Sequence, residues 1–299
     1  MSERLLLLCP GQGGQHPGMF DLARTDPGAK LMLDSLALPA AQDEQIFTNQ
    51  TAQPLIVAAT VAMWAALRPH APTPSLVAGY SIGELSAWCV AGAVDPVDAV
   101  ALARLRAAAM DNAAAGATHA MLSVDGLALA TLGQIAGECG FSVAITTGED
   151  SCIAGGPAAQ ATQLEARLQA LGARVHLLPV AIAAHTPMME DACAPYAAAL
   201  ERTAFRSPAC AVLSGTAAQA LTSKQQAVAH LSRQLADTIH WEWCMDAAAE
   251  AGIGVALELG PGAALARMLR ARHPHIECRS VADFRSIDGV VRWLHRHSS

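Results

Sequence analysis

The chain has 299 residues, 15% of them charged and 53% hydrophobic, enough for one large domain or two smaller ones around a buried core, which excludes a disulfide-stapled miniprotein. Aromatics make up only 4%, so the core is predicted to be built from Ala, Leu and Val, and the composition excludes global disorder. A net charge of -7 argues against a nucleic-acid partner, which would need a basic excess to neutralise phosphates.

Leu5 to Cys9 is an apolar run ending at Pro10 and a glycine cluster, the signature of a buried strand. It is too short for a secretory signal, and no apolar run approaches the roughly 20 residues that span a bilayer, so a cytoplasmic protein with no membrane segment is expected. Pro54 to Leu67 reads as an apolar helix, Leu76 to Gly79 as a short strand, and Asp95 to Met110 as a helix carrying Arg104 and Arg106. From His119 the predicted order is strand Ala120 to Val124, helix Leu127 to Cys139, strand Ser142 to Thr146, strand Cys152 to Ala154, helix Pro157 to Leu171 and strand Arg174 to Val180. That β-α-β-β-α-β order is ferredoxin-like. Val255 to Leu259 then reads as a strand stopped by Gly260-Pro261-Gly262, followed by a helix from Ala263 to Arg272. The expected class is therefore α/β with a mostly parallel sheet: a large subdomain over 1–118 and 184–299, and an inserted ferredoxin-like small subdomain over 119–183. The eight cysteines form no C-x-x-C pair and read as reduced core residues of a cytosolic protein.

Three stretches carry candidate chemistry. Gly79-Tyr-Ser81-Ile-Gly83 follows a predicted strand and precedes a helix-forming run, a spacing that lets a serine hydroxyl stand up at a helix N-terminus. There the amide of Ile82 could face a developing oxyanion. Gly11-Gln12-Gly-Gly-Gln15 directly follows the first strand, placing it at the carboxyl edge of the sheet, where ligands bind in open α/β folds. No G-K-[ST] follows, so a phosphate loop is disfavoured. Among 11 histidines, His185 stands out because Leu177 to Ala184 reads as a strand, which would put the imidazole just past its end. His273, His275, His295 and His297 lie in an Arg-rich tail without the further ligands of a metal site.

Together with Ala103-Arg-Leu-Arg106, Met110, Ala184-His-Thr-Pro-Met-Met189, Ile239-His-Trp241 and Glu258-Leu-Gly-Pro-Gly262, these stretches resemble the malonyl-CoA:acyl carrier protein transacylase family in motif content and order. The resemblance implies a hydrolase-like α/β subdomain carrying a ferredoxin-like insertion. It further implies Ser81 as nucleophile, His185 as general base oriented by a main-chain carbonyl, Gln12 and Ile82 as oxyanion-hole amides, and Arg106 as the grip on a malonyl carboxylate. The implied partners are malonyl-CoA and an acyl carrier protein, with no metal or redox cofactor. Tyr80 stands where the family usually has His. His240 stands where Gln or Asn is common, at the position the resemblance assigns to the orienting carbonyl, and its side chain is expected on the substrate side of the site.

A malonate decarboxylase acyltransferase subunit and an acyl hydrolase of the same fold remain alternatives. Arg104, two residues from Arg106, competes for the carboxylate. Seven of the chain's arginines (Arg267, Arg270, Arg272, Arg279, Arg285, Arg292 and Arg296) fall in the last 33 residues, a region expected to attract an acidic carrier protein.

Overall fold

The computed structural model describes residues 4–40 and 43–298. Its strands are β1 (Arg4–Cys9), β2 (Leu76–Gly79), β3 (His119–Asp125), β4 (Ser142–Thr146), β5 (Ser151–Pro157), β6 (Arg174–Leu177), β7 (Ala211–Leu213), β8 (Ala220–Leu221), β9 (Ile239–His240), β10 (Ile253–Glu258) and β11 (Glu277–Ser280). The chain divides into two compact units, one of residues 1–104, 203–227 and 243–299, the other of residues 105–202 and 228–242.

The first unit holds a sheet in the order β11-β10-β1-β2-β7-β8. Every neighbouring pair is parallel except β7 with β8. β1 sits in the middle because its run of leucines is buried on both faces, as a central parallel strand requires. Beside it, Leu76, Val77, Ala78 and Gly79 of β2 register with Leu6, Leu7, Leu8 and Cys9. The helix Asn49–Leu67 is longer than the predicted Pro54 to Leu67: it runs through Pro54, which lies past the first turn and forgoes one helical N–H bond. By length and mean hydropathy this helix could cross a membrane, contrary to the expectation that no segment comes near, but 83% of its apolar window is buried inside the fold. It is a core helix, apolar nearly all round because protein surrounds it.

The second unit holds a sheet in the order β6-β3-β5-β4-β9. Its first four strands are antiparallel neighbours and form the ferredoxin-like arrangement, with the helices Leu129–Glu138 and Ala161–Gln169 between them. Leu122, Val124, Leu132, Phe141, Leu164 and Leu168 make its core. β5 runs further than the predicted Cys152 to Ala154 because Gly155 and Gly156 continue the ladder; a Cβ on Gly156 would come within 2.4 Å of the Phe141 ring. The unit is wider than the expected 119–183. β9, pairing in parallel with β4, extends the sheet from far along the chain, a pairing that no local pattern announces.

Candidate active site

In the first unit the reversal from β2 into the helix Ile82–Val90 takes only two residues. Tyr80 N donates to Cys9 O at 3.0 Å, Gly83 N to Tyr80 O at 2.9 Å and Glu84 N to Ser81 O at 3.0 Å. Ser81 is held at φ 55 and ψ -119, a conformation that costs a non-glycine residue on the order of 1–3 kcal/mol and marks functional turns. The flanking glycines are steric necessities. A Cβ on Gly79 would lie 2.1 Å from the carbonyl of Gly83, and one on Gly83 would lie 2.1 Å from Cys9 O. Ile82 opens the helix, so its N–H has no acceptor in a preceding turn and lies at the positive end of the helix dipole. The buried Glu84 fastens the helix start, its Oε2 accepting the Gly215 N–H at 2.9 Å.

The loop after β1 lies against this turn, since a Cβ on Gly11 would meet Tyr80 O at 2.8 Å. The buried Gln15 braces the loop. Its Oε1 accepts the Gly13 N–H at 2.6 Å, and its Nε2 donates to Ile46 O at 3.4 Å. Gln12 is half-buried between them. Gln12, Ser81 and Ile82 thus share the carboxyl edge of two adjacent parallel strands, β1 and β2.

The second unit brings together His185, Gln234 and Arg106. His185 is 2% exposed. Its Nδ1 lies 2.6 Å from the main-chain oxygen of Gln234, and its own N–H donates to Leu235 O at 2.8 Å. A carbonyl can only accept, so Nδ1 carries the proton and the lone pair sits on Nε2. Burial, then the nearby Arg106 charge, push the imidazole pKa down to about 3 against the raising effect of the Gln234 carbonyl. The ring is therefore a neutral base throughout the physiological range. Arg106 is also 2% exposed, and its Nη2 donates to Gln234 Oε1 at 3.3 Å. Burying a guanidinium is costly unless it is hydrogen-bonded.

Two expectations change and two gain detail. The strand expected over Arg174 to Val180 stops at Leu177, so His185 does not sit at a strand end. Pro179 supplies no N–H to continue a ladder, and the segment after it is irregular. His185 is instead presented at φ 62. The carbonyl that orients it belongs to Gln234 and not to His240, whose Nδ1 lies 3.1 Å from Thr146 Oγ1. Arg104 is exposed where Arg106 is buried, as two positions on one helix should be, some 200° apart. In the arginine-rich last stretch, Arg272 grips Asp246 through two bonds of 2.5 and 2.7 Å, Arg270 donates to Cys278 O at 2.8 Å and Arg279 lies 3.6 Å from Asp283. Arg267, Arg285, Arg292 and Arg296 are exposed.

Sequence reasoning missed Gln234 altogether. A glutamine that ends the polar run Ser232-Arg233-Gln234 is a faint signal, and only the fold reveals that it is fully buried. Among the described residues there is no group of three or more His, Cys, Asp or Glu side chains able to hold a metal ion.

Residues 6–285 match the acyl transferase domain family. The malonyl CoA-acyl carrier protein transacylase of Haemophilus influenzae is 28% identical, the match covering 98% of this chain and 99% of the relative. The protein of the same name from Mycobacterium bovis is 30% identical over 96% of this chain and 99% of its own. Among solved structures, a type II PKS acyl-carrier protein in complex with its malonyl-transacylase includes a chain that is 26% identical, with a TM-score of 0.90 and coverage of 97% and 99%.

Proposed function

The chain belongs to the acyl transferase domain family, and from that premise we propose that it moves a malonyl group from coenzyme A to the phosphopantetheine thiol of an acyl carrier protein, through an ester on Ser81. His185 Nε2 takes the Ser81 Oγ proton as the oxygen attacks the thioester carbonyl. The N–H groups of Gln12 and Ile82 receive the negative oxygen of the tetrahedral intermediate. The C–S bond then breaks, and the coenzyme A sulfur leaves with the proton from His185. In the second half the carrier thiol gives its proton to His185, its sulfur attacks the ester, and Ser81 recovers its hydroxyl. The Gln234 carbonyl fixes the imidazole tautomer, as a carboxylate does in a protease triad, but brings no charge. This suits a base that Arg106 must not pair away.

The observation that carries the reading is the buried Arg106 on the same unit as the base. A guanidinium matches a carboxylate through two parallel hydrogen bonds, whereas a hydrolase for uncharged acyl chains has no use for one. We place the reaction in the cytoplasm, a location that eight cysteines outside any disulfide suit.

The test is intact-protein mass spectrometry after incubation with malonyl-CoA, followed by addition of a holo carrier protein. The wild type should gain one malonyl group on Ser81 and then pass it to the carrier. Ser81→Ala should gain none, and undiminished transfer by that variant would overturn the covalent route.

A further inference from the structure

Gln234 holds two groups at once. Its main-chain oxygen fixes the His185 imidazole, its side-chain oxygen accepts from Arg106, and its successor Leu235 accepts from the His185 backbone. The side chain is fully buried, so the guanidinium does not meet it through water. The backbone role could be filled by any residue. The side-chain role could not: an apolar residue would offer Arg106 no acceptor, and a carboxylate would bind it bidentately and cancel its charge. An amide is the one uncharged group of this length that accepts a hydrogen bond from Arg106 while leaving its positive charge in force.

We infer that Gln234 is a positioning residue that sets acyl-group choice: its neutral amide aims Arg106 without neutralising it, reserving the charge for the carboxylate of an incoming acyl group. This rests on the malonyl-transfer reading and adds the element that decides whether Arg106 can act in it. Its location also explains why the base and the carboxylate grip keep a fixed relation, since the one dipeptide Gln234-Leu235 bonds to both.

The experiment compares Ser81 acylation rates with malonyl-CoA and acetyl-CoA, read by rapid quench and intact mass, for the wild type, Gln234→Glu and Gln234→Met. Near-UV circular dichroism reports whether each variant is folded. Gln234→Glu occupies Arg106 internally and places a like charge against malonyl, so the malonyl-to-acetyl rate ratio should fall about a hundredfold, with the acetyl rate changing far less. Gln234→Met keeps length and the main-chain carbonyl but loses the acceptor, and its ratio should fall about tenfold. In an Arg106→Ala background the Gln234→Met substitution should no longer move the ratio, because the amide acts only through that guanidinium.

A folded variant that keeps the wild-type ratio overturns the inference, as does an equal fall in the Arg106→Ala background. Should Gln234→Glu fail to fold, Gln234→Met decides. A wild type that forms no malonyl ester refutes the functional reading and this inference with it, whereas a malonyl ester whose ratio ignores Gln234 refutes this inference alone.

Discussion

The two units build their candidate sites by opposite means. In the first, the work is done by backbone: a serine at positive φ, a helix N-terminus and a glycine loop, all within a few residues of the ends of β1 and β2. In the second it is done by buried polar side chains whose partners stand 49 and 128 residues apart in the chain. Backbone sites are bound by sterics and tolerate almost no change of residue; side-chain sites are bound by hydrogen bonds and charge and can be retuned. Substitutions in the first unit should therefore act on folding and on all-or-none chemistry, while those in the second should grade rate, selectivity and pH response.

The largest effect is expected at Gly83. A methyl group 2.1 Å from Cys9 O has nowhere to go, so Gly83→Ala should lower stability by about 4 kcal/mol or more, measured by urea unfolding. Next comes the arginine pair. Arg106→Ala should lower kcat/KM for malonyl-CoA by about 10² or more and raise acetyl-CoA relative to it, whereas exposed Arg104→Ala should leave the preference unchanged. The reverse pattern would make Arg104 the carboxylate grip.

His185, the proposed base, gives a graded, pH-dependent test. With its pKa pushed down to about 3, His185 stays neutral as acid is added, so the Ser81 acylation rate should remain flat from pH 8 to about 5. A fall centred near 6.5 would contradict this. Between the unfolded-chain value of about 6.5 and the folded value it is the unfolded chain that binds the extra proton, so stability should drop as pH falls through that window. His185→Gln should make that part of the stability curve flatter, as read from unfolding midpoints at several pH values.

Smaller changes are expected at two further places. Ser81→Gly relieves the positive-φ backbone and should raise stability by about 1 kcal/mol while abolishing acylation, an opposition that thermal unfolding and intact mass together would reveal. Reversing the exposed Arg292 and Arg296 to Glu should raise the KM for an acidic carrier protein about two- to fivefold at low salt and leave self-acylation untouched. Arg272→Glu would instead break the Asp246 pair and report on stability. An unchanged carrier KM and salt dependence would remove this surface from docking.

The same contrast decides what could be read from sequence. The turn at Ser81 was legible because Gly79 and Gly83 are forced by sterics and lie next to it in the chain. The β-α-β-β-α-β order was legible because each step is a local change of hydrophobic period. β9 was not, being two residues long and paired with a strand some 94 positions earlier. His185 was found, but for a strand that ends eight residues before it. Gln234 left almost no trace, because a buried hydrogen bond to a distant guanidinium has no local signature. The arginine tail looked uniform in sequence, although its members divide into those locked in internal bonds and those left at the surface.

The position of β1 bears on how the chain is made. This first strand lies between β2 and β10 and registers Leu5 with Val255. During synthesis it must wait until Val255 has been made before its second neighbour exists, with an apolar edge that a chaperone or another nascent chain could cover. The ferredoxin-like strands β3 to β6 lie within 59 consecutive residues and can pair long before. Emergence from the ribosome thus orders assembly so that the sheet carrying Ser81 closes after β3 to β6 have paired, and a stalled or truncated translation product that ends before β10 carries Ser81 on an unfinished sheet.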